Sequence, residues 1–130
     1  MKKRLLLNFI LLLLLIFLFS VSAEAKSKRK LIDMGEFKIT AYCPCEGCSD
    51  GWGRRTYSGK TAEAGKTIAV DRSVIDIGSK VKIGKHIYTA EDTGGKVDGD
   101  HIDIFFDTHE EVEEFANRKG IKYVNVWVVR

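Results

Sequence analysis

The chain has 130 residues, of which 21 are basic and 18 acidic, and 45% of its residues are hydrophobic. This length is enough for one domain with a modest core besides a targeting segment. From Leu31 to Arg130 the chain carries 14 basic and 17 acidic residues, so its small positive charge comes from residues 1–30. The domain therefore lacks the basic excess of nucleic-acid-binding proteins, and we expect no nucleic-acid partner.

Residues 1–25 have the order of features found in a secretory signal peptide. Residues 2–4 are basic, residues 5–19 form an almost unbroken apolar run, and Ala23-Glu24-Ala25 resembles a cleavage site. The alternative is an uncleaved membrane anchor, because the apolar run approaches the roughly 18 residues typical of a spanning helix. In both cases we expect the rest of the chain to work outside the cytoplasm.

The remainder is predicted to consist of a basic linker, residues 26–35, and one domain, residues 36–130. The linker contains Lys26, Lys28, Arg29 and Lys30 and is expected to lack regular structure. The domain consists of short β runs separated by glycines, beginning with an apolar–polar alternation over residues 37–42. Further strands are predicted over residues 67–70, 80–83, 86–91, 101–106 and 123–129, with a tight hairpin turn at Gly84-Lys85.

One helix interrupts the strands. Thr108 and Glu111 have the spacing of a capping box, Val112 and Phe115 begin an apolar face, and Gly120 can end the helix. We therefore predict a helix over residues 108–119 with a structural role. The fold class is mainly β, a small closed barrel of six strands with one side helix.

Three aspartates lie at the ends of predicted strands or within them: Asp71, Asp92 and Asp103. Asp92 leads into Thr93-Gly94-Gly95, where the backbone can approach a ligand closely. Two carboxyl groups converging in one groove raise the pKa of one of them, which then stays protonated near neutral pH as a general acid. The alternative is that each aspartate only caps a turn.

A second group is Cys43-Pro44-Cys45-Glu46-Gly47-Cys48, directly after the first strand. In an exported protein, one disulfide and one free thiol are the default, and the sequence does not choose the pairing. A zinc site needs a fourth ligand, for which His86, His101 and His109 are candidates. Disulfide or free thiols are favoured over metal, and a cysteine nucleophile is not supported. The aromatic residues nearby, Tyr42, Trp52 and Tyr57, either stack on sugar rings or cover the end of the core.

Several segments together resemble the 3D domain, a family named for three aspartates and found in Gram-positive cell-wall proteins of the stationary-phase survival type. That family is similar to the catalytic domain of membrane-bound lytic transglycosylase A. The matching segments run from about Phe37 to Val129: residues 39–45, 58–61, 68–71, 77–79, 91–95 and 102–106. The most specific part is Asp92-Thr93-Gly94-Gly95 followed by Asp103 in an apolar strand.

The resemblance implies a double-psi β-barrel with a groove for peptidoglycan glycan strands. Asp103 matches the catalytic acid, which would cleave the bond after N-acetylmuramic acid and form a 1,6-anhydro end. Asp71 and Asp92 would support Asp103 or the substrate, and Thr93, Gly94 and Gly95 would shape the site. Tyr42 and Ser58, in matching segments, are assigned to substrate binding. The implied chemistry requires no metal or organic cofactor, and the protein would be secreted or associated with the cell wall.

Two other function classes remain open at this point. One is a module without catalytic activity that binds or loosens the wall, as expansin-like barrels do with an acidic groove and aromatic platforms. The other is a metal or redox protein built on the three cysteines. Soluble glycan products would indicate a transglycosylase. Wall binding without product would indicate the binding module, and bound zinc would indicate the metal protein.

Overall fold

The structure is a computed structural model that describes residues 2–21, 29–119 and 121–130. Helix α1 comprises Lys2–Val21. Within the described residues, no helix combines the length and the apolar character required of a membrane span. The proposed cleavage site at residues 23–25, residues 26–28 of the proposed linker and Gly120 lie outside the described residues.

Six strands form one closed sheet. They are β1 (Leu31–Tyr42), β2 (Thr67–Val70), β3 (Lys80–Ile83), β4 (His86–Asp92), β5 (His101–Phe105) and β6 (Lys122–Val129). The strands pair in the order β1-β5-β2-β4-β3-β6, and β6 pairs back to β1, which closes the barrel. Two of the pairings, β1 with β5 and β2 with β4, are parallel. The prediction of a mainly β domain with six strands and a side helix is confirmed.

The predicted linker is wrong over residues 31–35, because β1 begins at Leu31 rather than after Glu36. Leu31 pairs with Val129 near the end of the last strand. The register shifts between Asp33 and Gly35, where Gly35 adopts a φ of +86° and donates its amide to Asp33 Oδ1. This bulge puts the alternation at Ile32 and Met34 out of phase with that at Phe37 and Ile39, and the partner strand lies far along the chain, so the local pattern does not extend the strand back to Leu31.

The barrel interior is a continuous apolar core to which every strand contributes. Its fully buried members include Phe37 on β1, Ile68 on β2, Val81 on β3, Ile102 on β5 and Val126 on β6. Alternate residues of a strand point to opposite sheet faces. Since Ile102 and Ile104 belong to this core, Asp103 between them points away from it.

A short helix and a longer one lie outside the barrel: α2 (Glu46–Ser49) and α3 (His109–Lys119). The predicted capping box at the start of α3 is confirmed. The Thr108 amide donates to Glu111 Oε2 at 3.0 Å, and the Glu111 amide donates to Thr108 Oγ1 at 3.3 Å. Phe115 of α3 packs against Phe106, with ring centroids 5.5 Å apart, which fixes the helix on the barrel.

Candidate active site

A cavity of about 480 Å³ opens on the side of β5 that faces away from the barrel core. One wall comes from the segment between α2 and Tyr57, and another from the turn after β4. The sequence-predicted residues Tyr42, Asp92, Asp103 and Thr93 to Gly95 all line this cavity. The predicted convergence of Asp92 and Asp103 in one groove is therefore observed in the fold.

Asp103 lies in the middle of β5, opposite Thr40 in the parallel β1–β5 register. Burial raises the pKa of its carboxyl group above the usual value for aspartate, and the charge of Asp92 acts in the same direction. The hydrogen bond from Thr40 and the charges of His101 and Lys38 lower the pKa, but burial prevails. Asp103 thus has the environment of an acid that holds its proton to higher pH than an exposed aspartate.

Asp103 is connected to His101 through the hydroxyl group of Thr40. The hydroxyl donates to Asp103 Oδ1 at 2.8 Å, and the same Oγ1 lies 2.8 Å from His101 Nε2. The other ring nitrogen, Nδ1, lies 3.0 Å from the carbonyl oxygen of Lys96, which can only accept a hydrogen bond. In this geometry Nδ1 carries a proton.

Two arrangements of protons satisfy the hydrogen bonds that join His101, Thr40 and Asp103. In the first, Asp103 is ionised and His101 is a cation whose Nε2–H donates to Thr40, which donates to Asp103. In the second, Asp103 is a neutral acid that donates to Thr40, which donates to Nε2 of neutral His101. Both contain the same number of protons. A shift of two hydrogens through Thr40 Oγ1 interconverts them. These hydrogen bonds can therefore pass a proton from His101 to Asp103.

Asp92 lines the same cavity, one strand further from Asp103 across Ala69, and acts as a hydrogen-bond acceptor. Its Oδ1 accepts the backbone amides of Tyr57 at 3.0 Å and Thr93 at 2.9 Å, and its Oδ2 accepts the Tyr42 hydroxyl at 2.7 Å. Burial raises the pKa of Tyr42, and the hydrogen bond to Asp92 adds to the shift. Tyr42 therefore remains a donor, and the three donors together fix the orientation of the Asp92 carboxyl group.

The turn after Asp92 lines the cavity with Thr93, Gly94 and Gly95. At Gly94, an added Cβ would lie 2.9 Å from Cγ2 of Val97, a buried residue that packs with Phe105. A side chain at this position would displace Val97 or the turn itself. The glycine therefore allows the turn to fold closely over Val97.

The structure separates two predicted site residues from the cavity. Asp71 lies in the turn after β2, where Oδ1 accepts the amide and hydroxyl of Ser73 and Oδ2 accepts the Gly99 amide at 2.8 Å. The Ser73 and Gly99 hydrogen bonds lower the pKa of Asp71. Ser58 lies in the turn before the bridge at Thr61, with its hydroxyl 3.0 Å from that of Thr56. Both side chains hold turns together, outside the cavity lining.

Exposed aromatic side chains stand at the cavity rim. Trp52 is 64% exposed and Tyr57 is 55% exposed, and both line the opening. The guanidinium of Arg55 lies 5.4 Å from the Trp52 ring centroid, and Arg72 donates to the Tyr57 hydroxyl and lies over the same ring. For Trp52 and Tyr57 the geometry matches the interpretation as an exposed platform, whereas Tyr42, the third ring, is buried in a core cluster with Phe105.

Sequence reasoning missed Thr40 and His101 as members of the site. The signal for His101 was present, because residues two apart on a strand share a face and His101 precedes Asp103 by two positions. Thr40 became a neighbour only through the parallel register between β1 and β5. That pairing joins residues distant along the chain, so no local pattern announces it.

A second cluster lies beside the cavity and is formed by the three cysteines and one histidine. Nδ1 of His109 lies 3.7, 3.6 and 3.4 Å from the sulfur atoms of Cys43, Cys45 and Cys48. The sulfur atoms of Cys43 and Cys45 are 3.2 Å apart and all three cysteines are free, so the expected disulfide is not formed. Within the part of the chain that the structure describes, these four residues form a group that could hold a metal ion.

Comparison with known proteins gives relatives in sequence and partial matches in structure. The chain is 38% identical over 92 residues to the putative cell wall shaping protein YabE of Bacillus subtilis, and 43% identical over 65 residues to the cell wall-binding protein YocH of the same bacterium. These matches cover 66% and 49% of this chain but 22% and 21% of the relatives. The crystal structure of MltA from Escherichia coli matches with a TM-score of 0.47 and 25% identity, over 58% of this chain and 27% of that chain.

A family model, that of the 3D domain, matches residues 66–130. The matched segment is half of the chain. It contains five of the six strands, β2 to β6, together with α3 and the three aspartates at positions 71, 92 and 103. The chain belongs to the 3D domain family.

Proposed function

We propose that this protein is a peptidoglycan lytic transglycosylase that cleaves the bond between N-acetylmuramic acid and N-acetylglucosamine. The observation that carries the proposal is the burial of Asp103, which raises the pKa of its carboxyl group, in a cavity that also contains Asp92, whose carboxyl group is held by three donors. Cleavage of a glycosidic bond commonly uses two carboxyl groups in different environments, one of which keeps its proton and acts as the acid. Membership of the 3D domain family and the names of the two relatives, which refer to cell-wall shaping and binding, support the substrate class.

In the proposed reaction, neutral Asp103 donates its proton to the glycosidic oxygen as the bond from that oxygen to the anomeric carbon breaks. The C6 hydroxyl of the same muramic acid residue attacks the anomeric carbon and gives its proton to the Asp103 carboxylate. The products are a free hydroxyl on the departing sugar and a 1,6-anhydro end, and Asp103 is again an acid. Because the nucleophile belongs to the substrate, one carboxyl group performs both proton transfers, in contrast to the pair used by ordinary glycosidases.

The other cavity residues have supporting roles in this proposal. Positive charge develops on the sugar ring during cleavage, and the Asp92 carboxylate stabilises it electrostatically. The chain from His101 through Thr40 keeps Asp103 supplied with a proton before the substrate enters. Tyr42 fixes Asp92, and the turn from Thr93 to Gly95 shapes the cavity edge. Asp71 and Ser58 act on the cavity through the turns that they hold.

The broader proposal concerns fold type and location. We infer that the closed barrel, with its two parallel strand pairings, is of the double-psi type that the family resemblance implies. Residues 1–25 serve as an export leader, either cleaved or retained as an anchor, and residues 31–130 form the catalytic domain. The site of action is then extracytoplasmic, at the cell wall.

The test is mass spectrometry of soluble products after the purified protein has been incubated with insoluble peptidoglycan. We expect muropeptides that end in 1,6-anhydro-N-acetylmuramic acid, and we expect Asp103→Asn to release them roughly 10²–10⁴-fold more slowly. Products with reducing ends would instead indicate hydrolysis by water. Release of soluble product by folded Asp103→Asn at an undiminished rate would exclude Asp103 as the acid.

A second candidate function is supported by the exposed rings at the cavity rim. Trp52 and Tyr57 offer flat apolar faces on which sugars stack, and the relative YocH is named a cell wall-binding protein. In this function the protein binds glycan strands without cleaving them. Co-sedimentation of folded protein with wall material, together with absence of soluble product, would favour binding over catalysis.

A further inference from the structure

We propose that Cys43, Cys45, Cys48 and His109 form a structural zinc site that fixes one wall of the candidate active site. The four ligand atoms, three Sγ and one Nδ1, all lie within 4.8 Å of one another. They come from two parts of the chain, the segment after β1 and the first residue of α3. This inference does not depend on the proposed glycan chemistry.

The spacing of the ligand atoms matches a tetrahedral zinc ion at their centre. Zinc lies about 2.3 Å from thiolate sulfur and about 2.0–2.1 Å from imidazole nitrogen, so a regular tetrahedron has S–S edges of about 3.8 Å and S–N edges of about 3.6 Å. The three S–N distances of 3.7, 3.6 and 3.4 Å agree with this edge, and the S–S distance of 3.2 Å between Cys43 and Cys45 requires only a small opening.

The orientation of His109 also fits a metal ligand. Its Nε2 lies 3.5 Å from Oε1 of Glu113, one turn further along α3. A carboxylate at this position accepts a hydrogen bond from Nε2–H, which keeps the proton on Nε2 and leaves the lone pair of Nδ1 directed at the sulfur atoms. Metal-bound histidines in proteins regularly have such a carboxylate behind them.

The segment that contains the cysteines buries little apolar surface. Cys43 is buried and Cys48 packs against a core cluster, but helix α2 has four residues, none of which is buried, and its N-terminus has no side-chain cap. A metal ion is one of the usual additional sources of stability where a small domain buries little apolar surface. Four protein ligands leave no open position, which is typical of structural zinc rather than catalytic zinc.

The site is placed to influence the cavity. Cys48 and the residues that follow it, including Asp50 and Trp52, line the cavity wall. A zinc ion would join this wall to α3, which is fixed on the barrel through Phe115 and Phe106. Binding deprotonates the three thiols and releases their protons to solvent, so the loaded site carries a net charge of −1 with neutral His109.

The decisive experiment is titration of the reduced, metal-free full chain with Co²⁺ and then Zn²⁺ under anaerobic conditions. We expect one Co²⁺ per chain with thiolate-to-cobalt charge-transfer absorption and the ligand-field bands of tetrahedral cobalt, and displacement of that cobalt by one equivalent of Zn²⁺. Cys48→Ser and His109→Ala should each lose these bands, whereas His86→Ala, which changes a histidine outside the cluster, should retain them. Absence of thiolate–cobalt absorption in the unaltered protein would overturn the proposal.

A milder pair of variants tests the same site without removing a ligand. Glu113→Gln should weaken Zn²⁺ binding by roughly 10–100-fold, the usual effect of losing the carboxylate behind a ligand histidine. The matched control is Glu114→Gln on the same helix, because Glu114 pairs with Arg118 at 2.8 Å instead. Equal affinities in the two variants would contradict the assigned role of Glu113.

Limited proteolysis tests the effect on the cavity wall. Arg54 and Arg55 are exposed and follow the cysteine segment directly. Removal of zinc by a chelator should accelerate tryptic cleavage at these two residues at least several-fold, while cleavage at Arg72, in the turn held by Asp71, stays unchanged. Equal acceleration at all three sites would indicate that the metal stabilises the whole domain instead of this wall.

Discussion

Two aspartates that look alike in the sequence occupy opposite environments in the fold. Asp71 lies in an open turn, where donors from Ser73 and Gly99 surround its carboxylate and lower its pKa. Asp103 lies in the cavity, where burial raises its pKa although Thr40 donates to it. Asp71 follows the buried strand β2, and Asp103 lies within strand β5. The difference teaches that the surroundings of a carboxyl group, and not its position relative to a strand, decide whether it holds a turn or transfers a proton.

The largest expected effect is the loss of activity in Asp103→Asn. Because Asn cannot donate or accept the catalytic proton, the rate of soluble product release should fall by roughly 10²–10⁴-fold. Asp71→Asn, the same chemical change in the turn region, should keep most of its activity per folded molecule. The measurement is the initial rate of product release, normalised to folded protein by circular dichroism. Similar losses in both variants would remove the distinction between the two regions.

The next largest effect on activity is expected from the hydrogen bonds that join His101 to Asp103 through Thr40. Thr40→Val keeps the size of the side chain but removes the hydroxyl, so the rate should fall about tenfold and the pH dependence should change. Thr40→Ser keeps the hydroxyl and should restore the rate and the pH profile. If Val and Ser at this position give the same rate and the same pH profile, the hydroxyl does not take part in proton transfer.

The pH dependence should differ in sign between the two aspartates. The folded pKa of Asp103 is raised, so its contribution to stability is complete below its unfolded pKa and is lost as the pH rises through the folded pKa. The folded pKa of Asp71 is lowered, so its contribution is present above its unfolded pKa and is lost as the pH falls through the folded pKa. Activity should likewise decline as the pH rises through the pKa of Asp103.

Denaturant unfolding at several pH values measures this difference. Asp103→Asn, which resembles the protonated acid, should be more stable than the unaltered protein above the folded pKa of Asp103. Asp71→Asn should be less stable than the unaltered protein at neutral pH, and this difference should shrink in acid. A stability gain from Asp71→Asn at neutral pH would contradict the assigned environment.

The smallest effect on activity is expected for the turn region. Asp71→Ala removes the acceptor for Ser73 and Gly99 and should lower Tm by on the order of 5 °C, as loss of a capping carboxylate does in a domain of this size. Activity at a temperature well below Tm should change little. The check is a thermal melt followed by circular dichroism, with Asp76→Ala, an exposed acid in the same turn region, as the control. A large loss of activity without a change in Tm would show that Asp71 supports Asp103 or the substrate directly.

The sequence alone was sufficient for most of the fold. Strands β2 and β3 were predicted with their exact bounds, and β4, β5 and β6 differ from prediction by one residue at one end. These elements were predictable because apolar alternation and glycine turns are local signals. The first strand was predicted too short because the bulge at Asp33 and Gly35 interrupts that alternation. The closing pair of strands, β1 and β6, comes from opposite ends of the domain.

The sequence also supplied the residue types of both sites, and the tertiary structure decided how they group. Asp92, Asp103 and the glycine turn between them were recognisable as a candidate site. Thr40 joined them only through the β1–β5 register, and Asp71 was separated from them by the turn that it holds.

The cysteine segment shows the same division between local and tertiary information. Its three sulfur atoms lie close together along the chain, whereas three histidines were equal candidates for a fourth ligand. The capping box that starts α3 places His109 at the sulfur atoms. The sequence specifies residue chemistry and local periodicity. Contacts between distant segments depend on how strands and helices pack, so only the folded barrel determines them.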